Sequence, residues 1–175
     1  FLDIHSTTGR RIYAFSLMFM LYKAVKDLYP NKELFIQHSM SDGYYCEIPD
    51  LQNEIEKAVV DIKSRMLQMV EENIPFGRRI VPVEEASDLF EKLGMSEKAE
   101  LIRNSNRLYA NLDLLGETLN SFFFELVPST SYLKVFDLYA FDTGFILQMP
   151  SKQEVNKTPD SNSKDRKIFI MPTTP

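Results

Sequence analysis

One cysteine, two histidines, six glycines and no tryptophan are found among 175 residues, and each scarcity removes a class of chemistry. Cys46 has no partner for an internal disulfide, and a single thiol excludes any multi-cysteine zinc site. His5 and His38 leave little material for a catalytic metal centre. None of the glycines is followed by lysine, so a phosphate-cradling P-loop is absent, as are the G-x-G-x-x-G fingerprint and the G-x-S-x-G elbow. The longest apolar run, Phe15 to Tyr22, is interrupted by Ser16 and stops at Lys23, well short of the roughly 18 to 20 residues a membrane span requires. Positive charge is also short. Twenty Lys and Arg against 25 Asp and Glu leave a formal charge of −5 and a pI near 5.1, without the broad positive field of most nucleic-acid binders. What remains is 44% hydrophobic and 26% charged, the composition of a globular domain, and a cytosolic, reducing location is the default expectation.

Phe1 is not an initiator methionine and opens an apolar stretch, so the chain reads as a piece of a longer protein. From Ser151 to Lys167 the residues turn to Ser, Asn, Asp, Lys and Pro, a solvated linker, before the apolar Ile168-Phe169-Ile170-Met171. The compact unit is expected between residues 7 and 150, with 151–175 as a linker.

Within that unit Leu17, Leu21, Ala24, Val25 and Leu28 recur at helical spacing and stop at Tyr29-Pro30, predicting a helix over 16–28. Leu34-Phe35-Ile36 and Tyr44 to Ile48 flank a Ser-, Asp- and Gly-containing turn and predict an antiparallel hairpin. Asp50 is placed to cap a long helix whose apolar positions are Leu51, Ile55, Val59, Ile62, Met66 and Val70. Arg78 to Val81 reads as a strand; a helix opening at Pro82 ends at Gly94, and another covers Ser96 to Asn104. Strands are expected in Leu108 to Leu112, Ser121 to Val127, Tyr132 to Leu138 and Gly144 to Met149. The fold class is α+β, helices packed on a mainly antiparallel sheet.

Few residues offer chemistry. Cys46, inside a predicted strand, reads as a packed thiol. The loop around His38, Ser39, Asp42 and Gly43, followed by Tyr44 and Tyr45, could contact a nucleobase or sugar, or be a turn whose side chains satisfy its own backbone. Arg10-Arg11, Arg78-Arg79, Arg103 and Arg107 could line a phosphate groove or stand as isolated solvated charges. Glu71-Glu72 and Glu84-Glu85 fall on helix surfaces and anchor no acid–base chemistry, so no catalytic residue is assigned.

Leu28-Tyr29-Pro30 closing a helix, the hairpin with Asp42-Gly43-Tyr44-Tyr45, the long amphipathic helix, Ile74-Pro75-Phe76 and the Val127-Pro128-Ser129 loop together resemble the editing-type domain shared by threonyl- and alanyl-tRNA synthetases, over about residues 11–145. That resemblance implies hydrolysis of mischarged tRNA at a metal held by H-x-x-x-H on the first helix and C-x-x-x-H before the Val-Pro. Counted back from Tyr29-Pro30 and from Val127-Pro128, those four positions fall on Phe15, Phe19, Phe122 and Leu126. All are apolar. A phenylalanine ring offers zinc no lone pair, so the resemblance implies a degenerate site without metal, its cleft filled as core, consistent with the run Phe122-Phe123-Phe124.

Arg11-Ile12-Tyr13, His38-Ser39, Tyr44-Tyr45-Cys46-Glu47, Val127 to Thr130, Tyr132-Leu133-Lys134 and Gly144 to Leu147 also look like the N-terminal region of multidomain bacterial uridine kinases. In that family a TGS domain precedes a degenerate synthetase-type domain and a P-loop kinase domain follows. The resemblance implies that residues 1–6 leave a TGS-like domain and that the parent enzyme transfers the ATP γ-phosphoryl group to the uridine 5′-hydroxyl with Mg²⁺, using residues outside this chain. This stretch would then be a non-catalytic accessory domain without cofactor. Its expected partners are the kinase and TGS-like domains, a nucleotide or RNA, and a second copy in a homo-oligomer, with no membrane. The candidate ligand contacts are Arg11, His38, Ser39, Tyr44 and Lys134. The rival expectations are an aminoacyl-tRNA deacylase-like domain and a purely structural interaction module.

Overall fold

In the computed structural model the described residues are 7–40, 42–121 and 125–150. The expectations for 1–6, for 151–175 and for Phe122 to Phe124 therefore lie outside the described residues. The chain opens with α1 (Thr7–Leu28), then the hairpin β1 (Phe35–Met40) and β2 (Gly43–Glu47), a 3-10 turn (Pro49–Glu54) and α2 (Ile55–Glu72). A second group follows: β3 (Phe76–Pro82), α3 (Val83–Lys92), α4 (Ser96–Arg103), β4 (Tyr109–Leu115) and β5 (Thr118–Asn120). The chain returns through a short 3-10 turn (Thr130–Tyr132) to β6 (Asp137–Phe141) and β7 (Gly144–Gln148).

The fold is α+β, but its strands form two antiparallel sheets where a single one was expected. One is ordered β1-β2-β7-β6 and the other β3-β4-β5. Pleating gives the four-stranded sheet an inner face that carries Cys46, Leu138, Phe145 and Leu147, and α1 and α2 pack on it. α3 and α4 cover one face of the smaller sheet through Val81, Ala86, Phe90, Ile102 and Leu112. α1 lies between the two groups and is buried on nearly all sides, Leu17, Phe19, Met20 and Leu21 being fully enclosed. Phe76 and Leu115 of the smaller sheet join the same core.

Several local expectations need correction. α1 starts nine residues before the predicted Ser16, at Thr7, because its first turns are held by tertiary contacts instead of an apolar stripe: Arg10 donates to Asp42 Oδ1 (2.9 Å) and to the Pro150 carbonyl (2.8 Å), and the Tyr13 hydroxyl donates to the Val135 carbonyl (2.6 Å). Asp50 caps no α-helix; it lies within the 3-10 turn, and α2 begins at Ile55. The strand expected over 121–127 is not present in its described part. Residues 125–127 run as irregular backbone sewn to α1, while the short β5 comes earlier. Tyr132 ends a 3-10 turn and the strand starts at Asp137. Among the described residues no helix is long and apolar enough to cross a membrane.

Candidate functional site

Phe15 and Phe19 stand one helical turn apart on α1 and so project from the same face. Phe19 is fully buried, its ring centroid 5.8 Å from that of Phe76 and 6.5 Å from that of Tyr22; Phe15 is half-buried against the same core. Between them, the fully buried Ser16 donates to the Ile12 carbonyl (2.7 Å) and accepts from the Val127 backbone N–H (2.8 Å). This bond pins the segment carrying Leu126 to the turn that carries Phe15 and Phe19. Leu126 is itself half-buried against the core.

The continuation of that segment is sewn in elsewhere. The Phe76 N–H donates to the Pro128 carbonyl (3.0 Å), the Ile74 N–H to Thr130 Oγ1 (2.8 Å), and Thr130 Oγ1 in turn to the Met69 carbonyl (2.5 Å). A hollow of about 230 Å³ remains, lined by Phe76, Arg78, Asp113, Leu126 and Pro128 among others. The fold thus draws together three of the four positions inferred from the synthetase resemblance, while Phe122 lies outside the described residues.

Zinc needs three or four nitrogen, sulfur or oxygen donors at about 2.0–2.3 Å. Phe15, Phe19 and Leu126 present none, and among the described residues no group of three His, Cys, Asp or Glu could hold a metal ion. The residues present do not fit the metal that the resemblance implies.

The candidate ligand contacts separate under the pleat of the hairpin. Ser39 pairs across from Tyr44 on the side facing α1, where Arg10 and Arg11 lie near the Tyr44 phenol and partly offset the upward pKa shift that its burial imposes. His38 lies on the opposite face, its ring 5.7 Å from that of Tyr45. Arg11, Ser39 and Tyr44 thus form one group and His38 belongs to another. Lys134 is exposed, next to Val135, whose backbone holds the Tyr13 hydroxyl. Cys46 is fully buried, which pushes its thiol pKa far above the ordinary range and keeps it protonated, as expected of a packed thiol.

Sequence reasoning missed Lys98. It sits in the first half of α4, beside a cleft of about 610 Å³ between α1, β1 and the α3–α4 turn, lined by Met18, Tyr22, Leu34, Met95, Lys98 and Asn120 among others. Its ammonium donates to Asn120 Oδ1 and to the Ser121 carbonyl (2.9 Å). Desolvation lowers its pKa to about 8, against the opposing pull of the Asp113 carboxylate. Its hydrogen-bond partners lie some twenty residues later, at the end of β5 and just after it, so no local signal marks it out.

Lys98 has a folded-state pKa below the ordinary 10.5, so between about pH 8 and 10.5 the unfolded chain binds the extra proton. The contribution of Lys98 to stability is therefore fully present above 10.5 and is lost as pH falls through about 8. A ¹³C NMR titration of the lysine ε-carbons is expected to give one resonance, absent in Lys98→Met, with a midpoint near 8; a midpoint above 10 for Lys98 would show that it remains hydrated.

With this geometry in place the known proteins become informative. No protein-family model matches the sequence. Threonine--tRNA ligase of Teredinibacter turnerae is 29% identical over 173 residues, covering 94% of this chain and 26% of the ligase. The enzyme of Carboxydothermus hydrogenoformans is 28% identical over 131 residues (74% of this chain, 21% of the ligase), and that of Acidithiobacillus ferrooxidans 31% over 142 (76% and 21%). The chain is similar to one segment of threonyl-tRNA synthetase. It spans about a quarter or less of the length of these relatives. The similarity supports an editing-like domain of the threonyl/alanyl-tRNA synthetase type on an α+β fold, as the motif order indicated. The uridine kinase parent finds no support among these relatives.

Proposed function

We propose that this chain is an aminoacyl-tRNA deacylase-like domain that has given up metal-dependent hydrolysis and serves, in the cytoplasm, as a binding or scaffolding domain of a larger enzyme. One observation carries the reading: Phe15, Phe19 and Leu126, drawn together by the Ser16–Val127 hydrogen bond, supply packing where coordination would be needed. A ring such as Phe19 can neither polarise a carbonyl nor lower the pKa of water.

A second reading, deacylation without metal, is favoured by Lys98. An amine with a pKa near 8, beside a cleft of about 610 Å³, is partly neutral near physiological pH and can accept a proton from water. For the parent enzyme, a uridine kinase with TGS-like and kinase domains on either side and ATP and Mg²⁺ bound outside this chain rests on the motif resemblance around Arg11, His38-Ser39, Tyr44 and Lys134 alone; no step of that reaction is assigned to these residues.

Deacylation of mischarged tRNA, assayed with and without chelator, separates the readings. The binding reading expects no hydrolysis above background. Chelator-sensitive hydrolysis overturns it, and chelator-insensitive hydrolysis lost in Lys98→Met establishes the second reading. Phosphorylation of uridine by the complete gene product, followed with radiolabelled ATP, tests the parent; its absence removes the kinase assignment.

A further inference from the structure

α4 sets a lysine into the wall of the cleft that faces α1 and β1. Ala99 and Ile102 bury the inner side of this helix in the smaller core, so the stem of Lys98 starts from a fixed base. Its ammonium reaches the end of β5, where Asn120 Oδ1 and the Ser121 carbonyl (2.9 Å) accept from it. The Asn120 amide is itself locked: it is buried, and its Oδ1 also accepts from the Ser121 N–H (2.8 Å). The cleft beside this amine measures about 610 Å³, and Met18, Tyr22, Leu34, Ile36 and Met95 give it an apolar lining. The charged groups around the amine are Asp113 on β4, with Lys26, Glu33 and Glu97 on the cleft wall.

Both the burial and the partners of this amine favour attack by its nitrogen on carbon. Burial holds back the charged form, so that with a pKa of about 8 about a fifth of the amine is neutral at pH 7.4, against under about 0.1% for an ordinary lysine. As the nitrogen bonds to carbon it becomes positive, and acceptors already aimed at its N–H groups stabilise that charge without reorganising. We propose that Lys98 is an acylation site, taking the acyl group of a thioester whose short apolar chain enters the cleft.

The neutral Nζ attacks the thioester carbonyl carbon. The C–N bond forms, the C–S bond breaks, and the proton lost by nitrogen passes through water to the departing thiolate. An amide and a thiol are the only products, and the low proton affinity of a thiolate lets it leave readily. The lining selects the acyl group: a hydrocarbon chain lies against Met18, Leu34 and Met95 at no cost, whereas a charged acyl group would be desolvated there. Acyl capture requires the cleft and the amine but no hydrolysis of tRNA, so it stands whether or not the domain deacylates. Once acylated, Lys98 has neither its charge nor its capacity to accept a proton.

The test incubates the full chain with butyryl-N-acetylcysteamine, a neutral thioester, across a pH series and follows Nε-butyryl-lysine by peptide-mapping mass spectrometry. At pH 7.4 Lys98 is expected to be acylated about tenfold faster than Lys26, with a rate that levels off above a midpoint near 8. Lys26 is the internal comparison because it lines the same cleft, its ammonium over the Tyr22 ring (5.6 Å). Asn120→Asp puts a carboxylate beside the amine and favours its charged form, so it should move the midpoint up and lower the rate at pH 7.4 about tenfold. Unfolding the chain in urea should erase the preference for Lys98. Four results would overturn the proposal: no butyryl group at Lys98, Lys26 acylated as fast as Lys98, a preference for Lys98 that survives unfolding, or an unchanged rate and midpoint in an Asn120→Asp chain whose circular dichroism shows it folded. Release of the thiol with no butyryl group on the chain would show hydrolysis in place of capture and likewise refute it.

Discussion

Phe19→Ala is expected to lower the free energy of unfolding by about 3–5 kcal/mol, which corresponds to a fall in Tm of roughly 6–20 °C for a domain of this size. Phe19 is fully buried on all sides, and its ring touches both halves of the molecule: Tyr22 on its own helix and Phe76 at the start of β3. Truncation removes a large apolar transfer term and leaves a cavity whose walls are fixed by the Ser16–Val127 bond on one side and the Phe76–Pro128 bond on the other, so collapse into it is resisted. Phe19→Leu, which keeps an apolar filler, should lose less. Urea unfolding followed by circular dichroism measures both, with the midpoint falling and the slope unchanged. A loss below about 1 kcal/mol for Phe19→Ala would mean that the position tolerates an opening and that Phe19 is not an integral part of the core.

Gly144→Ala is the second large effect, with an opposite cause. A Cβ at Gly144 would lie 2.1 Å from the Cys46 carbonyl oxygen, 2.9 Å from the Tyr45 hydroxyl and 3.0 Å from Glu47 Cγ. The first obstacle is backbone, so no rotamer change relieves it; β2 and β7 must separate at the end of their ladder, where Cys46 pairs with Phe145. Overpacking of this kind costs about 1–3 kcal/mol and occasionally more, and the upper end is expected here. Gly77 provides an internal control: its added Cβ would meet nothing closer than Leu114 Cβ at 3.6 Å, so Gly77→Ala should stay within about 0.5 kcal/mol of the parent. Equal stabilities of the two variants would contradict the close approach of the strands.

Much of the local structure was legible in the residues themselves. The apolar repeat Leu51, Ile55, Val59, Ile62, Met66 marks the buried side of α2, Gly94 with φ +78° follows α3, and Asp42-Gly43 lies at the turn of the β1–β2 hairpin. The identity of the side chains at Phe15, Phe19 and Leu126 was also enough to state that they lack metal-binding atoms, since that is a property of the residue and not of its surroundings. By contrast, α1 was read from a single stripe although it is buried on nearly all sides, because periodicity registers one partner while this helix has two.

What tertiary structure alone decided involves partners far apart in the chain. The β2–β7 pairing joins residues about a hundred positions apart, and no window along the sequence contains both. It separates two sheets where one was expected, and the bulged pleat of β1 sends His38 to the face opposite Tyr44. Lys98 looks like any other solvated lysine on a short helix until β4 and β5 fold over it and remove its water. Side-chain chemistry and short-range periodicity are local quantities; burial, strand partnership and the shifted proton affinity of Lys98 arise from what the rest of the chain brings to the same place.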